Sequence, residues 1–291
     1  MEDLCPFVLV HIGEHFPDYM NTCVKQIRLW NPTSKIYCIA SECHRGKFNL
    51  TDCSFVPLSS IAVSPKRAFF NRRSALEGLW KVTTERFFIL EDFMTQYNYE
   101  ECFHLENDNL IYFSMEHMLP ILRESSKGLS APYLGKDELT FGVLYVKHKY
   151  FLEQFTSFIN CQRNEKNDMK LGFEFFLENR DMTSFLPTCS NECAIREGEI
   201  EYTIEGREHF RNFWDAAAYG QYMGGTDPRY HESVAQYVNT NCSFLSDQFK
   251  YSWYVNPNGL RIPQLERHGN SWLLYNLHVH CKALDLFASF I

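Results

Sequence analysis

The chain has 291 residues, a formal net charge of −8, 45% hydrophobic residues and 22% charged residues. This balance is ordinary for a globular protein of one large domain or two, and its acidity argues against a general nucleic-acid-binding protein. The sequence predicts no transmembrane segment, because no stretch reaches about 18 consecutive apolar residues, and the acidic N-terminus does not have the form of a signal peptide.

The 11 cysteines are an odd number and are scattered along the chain, with no Cys-x-x-Cys pair. Cysteines inside apolar runs behave as small hydrophobic side chains. The closest pair with a spacing that could suit a metal is Cys189 and Cys193. We therefore predict reduced cysteines and a cytoplasmic protein.

The first 60 residues predict alternating strands and a helix. Residues 7–12 form a short β-branched run typical of a buried strand. Apolar residues at helical spacing follow within 15–32, where an Asn-Pro pair ends the pattern. Residues 35–41 and 53–61 predict two more strands. This β-α-β order with short connections favours an α/β fold, with a mostly parallel sheet flanked by helices.

The middle of the chain continues this alternation. Residues 66–97 have a helical pattern in two halves, with candidate breaks at Gly78 and at Thr83-Thr84. Further predicted elements are strands at 101–106, 128–134 and 140–149, and an amphipathic helix at 149–161.

The last third is less regular. Residues 162–207 are polar and irregular, which predicts a loop-rich insertion or a lid. Residues 209–225 carry apolar side chains on one helical face and end in Gly-Gly, which predicts a helix, and a turn follows at 226–231. Because no repeat or long linker divides the chain, we predict a single domain over 1–291.

Two carboxylates and two amides interrupt an apolar run in "HLENDNLIYF", residues 104–113. Burying ionised carboxylates unpaired is costly, so Glu106 and Asp108 either face solvent in a turn or share a cation. Mg²⁺ and Mn²⁺ prefer carboxylate oxygens and keep coordination positions for phosphates. Since ligands bind beyond the carboxyl ends of parallel strands, we favour a cation site, with the solvated turn as the alternative.

The segment "NLHVHCK", residues 276–282, carries a second candidate set. His278, His280 and Lys282 alternate, so in an extended chain they lie on one side. Two imidazoles and an ammonium there could supply a nitrogen ligand to a metal and a charge to a phosphate. The alternative is a half-exposed strand with a polar face.

Two further candidates lie on predicted helices. Asp215 adjoins Trp214 but falls off the apolar stripe, so it could bind an acceptor hydroxyl or act as a general base, or it could be solvated. Arg72 and Arg73 precede the acidic motif, and guanidinium groups suit a diphosphate by bidentate contact. A solvated helix face is the alternative for both arginines.

Several motifs are missing from the sequence. It contains no GxGxxG after the first strand, no GxxxxGK[ST], no GxSxG and no HExxH. Dinucleotide oxidoreductases, P-loop kinases, serine hydrolases and zincins therefore lack sequence support.

Together, these motifs give the chain a resemblance to glycosyltransferases of the GT-A fold. The β-α-β start, the strand that ends in acid-x-acid at Glu106-Asn107-Asp108, and a late His followed by Lys282 carry this resemblance. "TTERFFILEDFM", "HLENDN", "WDAAAYGQYMGGTDPR" and "LHVHCK" also look like stretches of uncharacterised glycosyltransferase-like proteins of bacteria and large DNA viruses. Here Glu replaces the first Asp of the usual DxD motif, the His-to-Lys spacing is shorter, and no Pro-Trp follows.

The resemblance implies a GT-A (Rossmann-like) fold and a metal-dependent transfer of sugar from a nucleotide-diphosphate donor, with a UDP-sugar favoured, to a hydroxyl acceptor such as a glycan. It implies residues 1–114 as the nucleotide-sugar-binding half and 115–291 as the acceptor-binding half. The implied site residues are Glu106, Asp108, His278 and His280 for Mn²⁺ or Mg²⁺, Lys282, Arg72 and Arg73 for phosphate, His11, Ile12 and Gly13 near the nucleoside, and Asp215 facing the acceptor.

Other functions stay open at this point. The first alternative is a non-catalytic nucleotide-sugar or glycan-binding protein with the same fold. A metal-dependent phosphotransferase or hydrolase and a structural or interaction protein are the others. No nucleic-acid partner is predicted, and the expected location is the cytoplasm, or the host cytoplasm if the source is a virus.

Overall fold

The computed structural model describes residues 5–162, 166–227 and 232–290. Its central sheet has eight strands, in the order β3-β2-β1-β4-β8-β6-β7, with β9 also paired to β6. The strands of the described residues are β1 (Phe7–Val10), β2 (Ile36–Ala40), β3 (Ser54–Pro57), β4 (Cys102–Leu105), β5 (Asn109–Ile111), β6 (Leu129–Gly135), β7 (Glu138–Leu139), β8 (Val143–Val146), β9 (Thr183–Leu186), β10 (Thr226–Asp227), β11 (Glu232–Ser233), β12 (Lys250–Val255), β13 (Arg261–Arg267), β14 (Asn270–Leu273) and β15 (Asn276–His278).

The sheet is mixed, with parallel pairing in its N-terminal half. β1 pairs in parallel with β2 and β4, and β2 with β3. β6 pairs in parallel with β9, whereas β8 runs antiparallel to both β4 and β6 and β7 runs antiparallel to β6. The predicted α/β class with a mostly parallel sheet is confirmed.

Helices cover both faces of this sheet. On β1, Phe7 and Leu9 point into one buried apolar cluster and Val8 and Val10 into another, because successive strand side chains alternate between faces. A strand buried on both faces reads as a continuous apolar run. The helices are α1 (Tyr19–Trp30), α2 (Pro65–Arg73), α3 (Gly78–Gln96), α4 (Met115–Ser125), α5 (Lys149–Cys161), α6 (Asp168–Glu178), α7 (Ile200–Ile204) and α8 (Tyr219–Gly224).

Smaller sheets lie outside the central one. β15 pairs antiparallel with β5, and β12, β13 and β14 form an antiparallel sheet of three strands. β10 pairs antiparallel with β11. These pairings had no counterpart in the sequence prediction, which placed no strand between 226 and 275.

The predicted elements up to residue 161 are present, with shorter strands and one different break. The helical region 66–97 divides at residues 74–77 into α2 and α3, so Gly78 begins a helix, and the Thr83-Thr84 pair lies inside it. Gly78 has φ +53°, a backbone conformation that suits glycine.

Two predictions in the last third are wrong. The region 162–207 is no irregular insertion, because it contributes α6, α7 and the sheet strand β9. Most of 209–225 is not helical: only Tyr219–Gly224 forms α8, and Phe213 bridges Leu274 instead. The turn predicted at 226–231 lies largely outside the described residues.

Cys189 and Cys193 form a disulfide, so the predicted reduced state does not hold at this pair. The other described cysteines are free thiols. Among the described residues, no helix combines the length and the apolar character that crossing a membrane requires.

A substitution at Gly128, the residue before β6, tests how tightly the sheet packs there. A Cβ at Gly128 would lie 2.4 Å from the Met182 carbonyl oxygen, whereas one at Gly46 would meet nothing within 4 Å. We expect Gly128→Ala to lower the free energy of unfolding by about 1–3 kcal/mol, because the backbone must move. Gly46→Ala is the matched control and should leave it unchanged or slightly raised. Equal denaturation midpoints for the two variants would contradict this packing.

Candidate functional site

The acidic motif forms a tight turn between two strands. β4 ends at Leu105, and the Glu106 amide donates to the Gly142 carbonyl at 3.0 Å. The Asn109 amide then donates back to the Glu106 carbonyl at 3.1 Å, and β5 begins at Asn109. The turn therefore places Glu106 and Asp108 beyond the carboxyl end of β4, next to the end of β1.

The C-terminal segment is held against this turn by backbone pairing. His278 lies opposite Asn109 in the β5–β15 register, and the Val279 amide donates to the Asp108 carbonyl at 2.9 Å. β15 ends at His278, so the predicted alternation of one extended strand through residue 282 is wrong. The pairing nevertheless brings His278, His280 and Lys282 to the acidic turn, as the cation-site prediction requires.

The side chains there form a compact charged cluster. His278 Nε2 lies 3.1 Å from Glu106 Oε2 and 3.2 Å from Asp108 Oδ1. Lys282 pairs with the other Asp108 oxygen, and the His280 ring centroid lies 4.3 Å from that of His278. One candidate ligand atom each from Asp108, His278 and His280 lies within 4.8 Å of the others. We call Glu106, Asp108, His278, His280 and Lys282 the acidic-turn cluster.

Arg86 and Asp168 adjoin this cluster and were missed from the sequence. Arg86 is buried on α3, where its guanidinium pairs with Glu106 and, at 3.0 Å, with Asp168. A sequence signal for Arg86 existed, since it shares a helical face with the apolar residues Ile89, Leu90 and Phe93. Asp168 had no such signal, because its region had the composition of a loop.

The neighbouring cations keep both acids of the turn ionised. Burial works to raise the pKa of Glu106, but Arg86 and His278 outweigh it and hold the pKa well below its usual value. Burial likewise opposes ionisation of Asp108, and the charges of His278 and Lys282 lower its pKa strongly. Burial alone would lower the pKa of His278, yet the two carboxylates raise it to about 10.

His280 has a different environment from His278. Burial and the charge of His278 lower the pKa of His280 to about 3, so its imidazole is neutral. Its Nδ1 lies 2.6 Å from the Gln221 side-chain amide on α8. A metal-binding histidine is neutral and donates its other ring N–H; His280 meets the first condition, whereas the Gln221 amide nitrogen donates to its Nδ1.

Asp215 is a buried structural carboxylate, in contrast to the acceptor-facing base that the resemblance implied and to its alternative, a solvated helix residue. Its Oδ1 accepts hydrogen bonds from the Ala218 and Tyr219 amides at 2.8 and 2.9 Å. Its Oδ2 accepts from the Gly220 and His278 amides, both at 2.8 Å. Both oxygens are engaged by backbone groups, so Asp215 fixes the start of α8 and the strand that carries His278.

This bonding also explains the missing helix before Tyr219. A short acidic side chain that accepts backbone hydrogen bonds three to five residues onward starts a helix rather than continuing one. Ala217 has φ +62°, outside the helical range. Burial raises the pKa of Asp215, although the His278 and Gly220 amides oppose the shift.

The residues predicted near the nucleoside lie at the end of β1. The His11 side chain approaches Asn107 of the acidic turn, with Nδ1 3.4 Å from the Asn107 amide nitrogen. The Gly13 carbonyl lies 3.0 Å from His44 Nε2, and the His44 ring centroid is 5.6 Å from that of His11. Ile12 packs on the cluster that contains Val8. His44 is an addition that the sequence did not single out.

Arg72 and Arg73 lie outside the acidic-turn cluster. Both are exposed at the C-terminal end of α2, and neither forms an ion pair within the described part of the chain. The arginine next to the acidic turn is Arg86. A contact of Arg72 and Arg73 with the donor diphosphate stays a prediction.

The donor chemistry of the cluster fits a metal ion. Asp108 offers oxygen, and His278 and His280 offer nitrogen, within one compact group. Carboxylate oxygen suits Mg²⁺ and Mn²⁺, whereas imidazole nitrogen suits metals such as Zn²⁺ and Fe²⁺, so the donor set fits a divalent metal without selecting one of them. Glu106 contacts His278 and Arg86, but it is not one of the three residues whose candidate ligand atoms lie close together.

No model of a known protein family matches the chain, and no curated protein matches it. Solved structures similar to it are glycosyltransferases. Apo mouse xyloside xylosyltransferase 1 is 8% identical, with a TM-score of 0.46, over 63% of this chain and 85% of its own. The glycosyltransferase GlyE of Streptococcus pneumoniae TIGR4 is 14% identical, with a TM-score of 0.43, over 62% of this chain and 45% of its own. The galactosyltransferase LgtC, solved with donor and acceptor sugar analogs, is 13% identical, with a TM-score of 0.41, over 62% and 73%.

The chain has a mixed α/β sheet flanked by helices, and the solved structures to which it is similar are glycosyltransferases. Identities of 8% to 14% and TM-scores below 0.5 carry no argument about activity or substrate. Function has to follow from the acidic-turn cluster itself.

Removing the Arg86 charge should destabilise the fold. Arg86→Gln leaves Glu106 and Asp168 without their shared cation, and breaking a buried ion pair costs about 3–5 kcal/mol. The matched control is Arg72→Gln, an exposed arginine that forms no ion pair with the described residues, for which a change within about 0.5 kcal/mol is expected. Chemical denaturation measures both, and similar losses for the two variants would contradict the buried role of Arg86.

Asp215→Asn tests the structural role of that carboxylate. An amide nitrogen cannot accept, so at least one pair of backbone amides loses its acceptor, at about 1–3 kcal/mol per unsatisfied buried group. We expect a lower unfolding free energy, together with weaker metal binding because β15 loses its anchor. Asp137→Asn, at an exposed position, is the control. An Asp215→Asn protein of normal stability would show that these hydrogen bonds are not required.

Proposed function

We propose that the protein is a metal-dependent glycosyltransferase that moves a sugar from a nucleotide-diphosphate donor to a hydroxyl acceptor. A UDP-sugar is the donor we favour, and a glycan is the acceptor. One observation carries the proposal: an aspartate, two histidines and a lysine, distant in sequence, meet beyond the carboxyl end of β4. Ligands of α/β sheets bind in that location.

The cluster combines groups that suit a diphosphate. Asp108, His278 and His280 would hold Mn²⁺, and its binding would release the proton that His278 otherwise carries. When bound, the ion would act as a Lewis acid toward the diphosphate of the donor. Lys282 brings an ammonium group to the same carboxylate, and 41% of its side chain is exposed, so it can reach a ligand from the solvent side.

Lys282 would stabilise the charge that develops on the leaving diphosphate, where electrostatic catalysis contributes most. Burial acts to lower the pKa of Lys282, but Asp108 raises it above its usual value, so the side chain stays protonated. Glu106 would act indirectly: its contacts to Arg86 and His278 fix the position of the imidazole. Arg86 itself is occupied by Glu106 and Asp168 and is a positioning residue.

The nucleoside would lie at the end of β1. His11 and Asn107 line this edge together, and His44 stands beside His11. These groups offer rings for stacking and amide hydrogen bonds for a base. We no longer propose Asp215 as the acceptor base, because backbone amides occupy both of its oxygens.

One observation favours the alternative, a nucleotide-sugar-binding protein without catalysis. His278 lies within 3.2 Å of both acids, and Arg86 and Lys282 pair with one each, so the protein's own cations already compensate the acidic turn. A protein whose own cations neutralise the acidic turn could bind a donor without a metal. Metal dependence is therefore the property that separates the two functions.

Asp108→Asn is the variant that tests the proposal. The wild type should be stabilised by one nucleotide sugar together with Mn²⁺, by about 2.7 kcal/mol at 100 times the dissociation constant. UDP, GDP, CMP and dTDP sugars are screened with and without the ion by thermal shift. Asp108→Asn should remain folded by circular dichroism and lose the metal-dependent part of the shift, whereas the control Asp137→Asn keeps it.

The outcomes distinguish the two functions. Sugar transfer or donor hydrolysis that needs Mn²⁺ and Asp108 supports the transferase. A thermal shift with a nucleotide sugar that is the same with and without the metal, and the same in Asp108→Asn, would instead indicate a nucleotide-sugar-binding protein without catalysis. No shift with any pair would refute the proposed site.

A further inference from the structure

The helical hairpin of α2 and α3 ends in an exposed apolar tip. The helices run antiparallel: the Phe70 and Phe88 rings stack with centroids 4.7 Å apart, and Asn71 donates to Glu85 at 2.9 Å. The C-terminal end of α2 therefore lies beside the N-terminal end of α3. Leu79 is 66% exposed, Trp80 43% and Phe69 38%. We call these three residues, with Arg72, Arg73 and Lys81, the hairpin tip.

Three basic side chains belong to the tip. Arg72, Arg73 and Lys81 form no ion pair with the described residues, unlike Arg67, which pairs with Glu85, or Lys66, which pairs with Glu91. The guanidinium of Arg73 lies 5.4 Å from the Phe69 ring centroid, so its charge stays next to the apolar group. This local positive charge stands out on a chain with a net charge of −8.

A small cavity opens at the same end of the hairpin. Its volume is about 130 Å³, and Phe69 and Arg73 of the tip line it. Phe70, Ile159 and Leu171 give it apolar walls. Ser74, Asn160, Gln162 and Lys166 line it as well, so it suits a polar or anionic group beside the Arg73 charge.

The tip adjoins the acidic-turn cluster along α3. Trp80 and Arg86 are six residues apart, or about 9 Å of helix. Between them, Thr83 donates to Asp168 at 3.1 Å, and Asp168 binds the Arg86 that contacts Glu106. A surface that occupies the tip therefore lies close to the proposed transfer site.

We propose that the hairpin tip docks the protein onto an anionic membrane surface. Leu79, Trp80 and Phe69 enter the region of the lipid headgroups and upper acyl chains, and Arg72, Arg73 and Lys81 contact anionic headgroups. Exposed Trp and Leu side chains beside Lys and Arg are the residue types that contact a membrane interface. The proposed transferase then acts on an acceptor at that surface.

Charge complementarity favours an anionic membrane as the partner of the hairpin tip. Basic residues near an anionic leaflet contribute to binding, and the tip carries three cations that form no ion pair with the described residues, against one exposed acid, Glu77, on an otherwise acidic protein. A second copy of the chain would bring the same cations face to face, since a two-fold interface pairs a patch with itself. Like charges opposed in that way disfavour self-association.

Vesicle flotation with the full-length wild type, without metal or nucleotide, tests the proposal. Binding is expected to phosphatidylcholine vesicles that contain phosphatidylglycerol and to be weaker with phosphatidylcholine alone. Leu79→Ser with Trp80→Ser should lower the partition coefficient by about tenfold or more. Arg72→Gln with Arg73→Gln should lower it by roughly tenfold and remove most of its salt dependence.

The control is Leu50→Ser with Leu286→Ser, at positions 53% and 67% exposed outside the hairpin, and it should float as the wild type does. Equal flotation of all variants, or no flotation of the wild type, would overturn the proposal. A wild-type dimer that Leu79→Ser with Trp80→Ser converts to a monomer, with no vesicle binding, would assign the tip to self-association. Asp108→Asn should bind vesicles normally, so loss of the proposed transferase function leaves this test intact.

Discussion

The antiparallel pairing of β5 with β15 is the constraint on which the candidate site depends. Three residues on each strand fix the register in which His278 faces the acidic turn. A shift by one residue would turn every side chain of β15 to the opposite face. Buried polar groups secure the register: Asn276 donates to the Asn109 side chain at 2.7 Å, and Asp215 accepts from the His278 amide.

The charges in the site depend on one another in the same way. Asp108 and Asp168 are buried acids, Glu106 is partly buried, and Arg86, His278 and Lys282 are the cations that contact them. Removing water from each ion is unfavourable, and the close ion pairs offset that cost. The network is not fully satisfied, because Arg86 Nε and His278 Nδ1 are buried without a hydrogen-bond partner among the described residues.

The sequence predicted the parts of the fold whose pattern is local. The β-α-β start and α5 follow from apolar periodicity, and the acidic turn follows from charges placed in an apolar run. The polar, irregular composition of 162–207 predicted a loop. β9 was missed because it is only four residues long and shows no pattern of its own within that segment. Asp215 was assigned to a helix because its decisive partners, among them His278 63 residues later, are not visible in a local pattern. Arg86 and Asp168 likewise meet across 82 residues of chain.

The distance along the chain between β5 and β15 has a consequence for biosynthesis. Asn109 and Asn276 are 167 positions apart, so the acidic turn emerges from the ribosome long before its partner strand. Contacts of such separation form late, since a long loop must close before they stabilise anything. Until then the acids of the turn lack the His278 and Lys282 charges and remain solvated. Assembly of the candidate site thus waits for the synthesis of β15, and a nascent protein that has not reached Asn276 has the acidic turn without its partner strand.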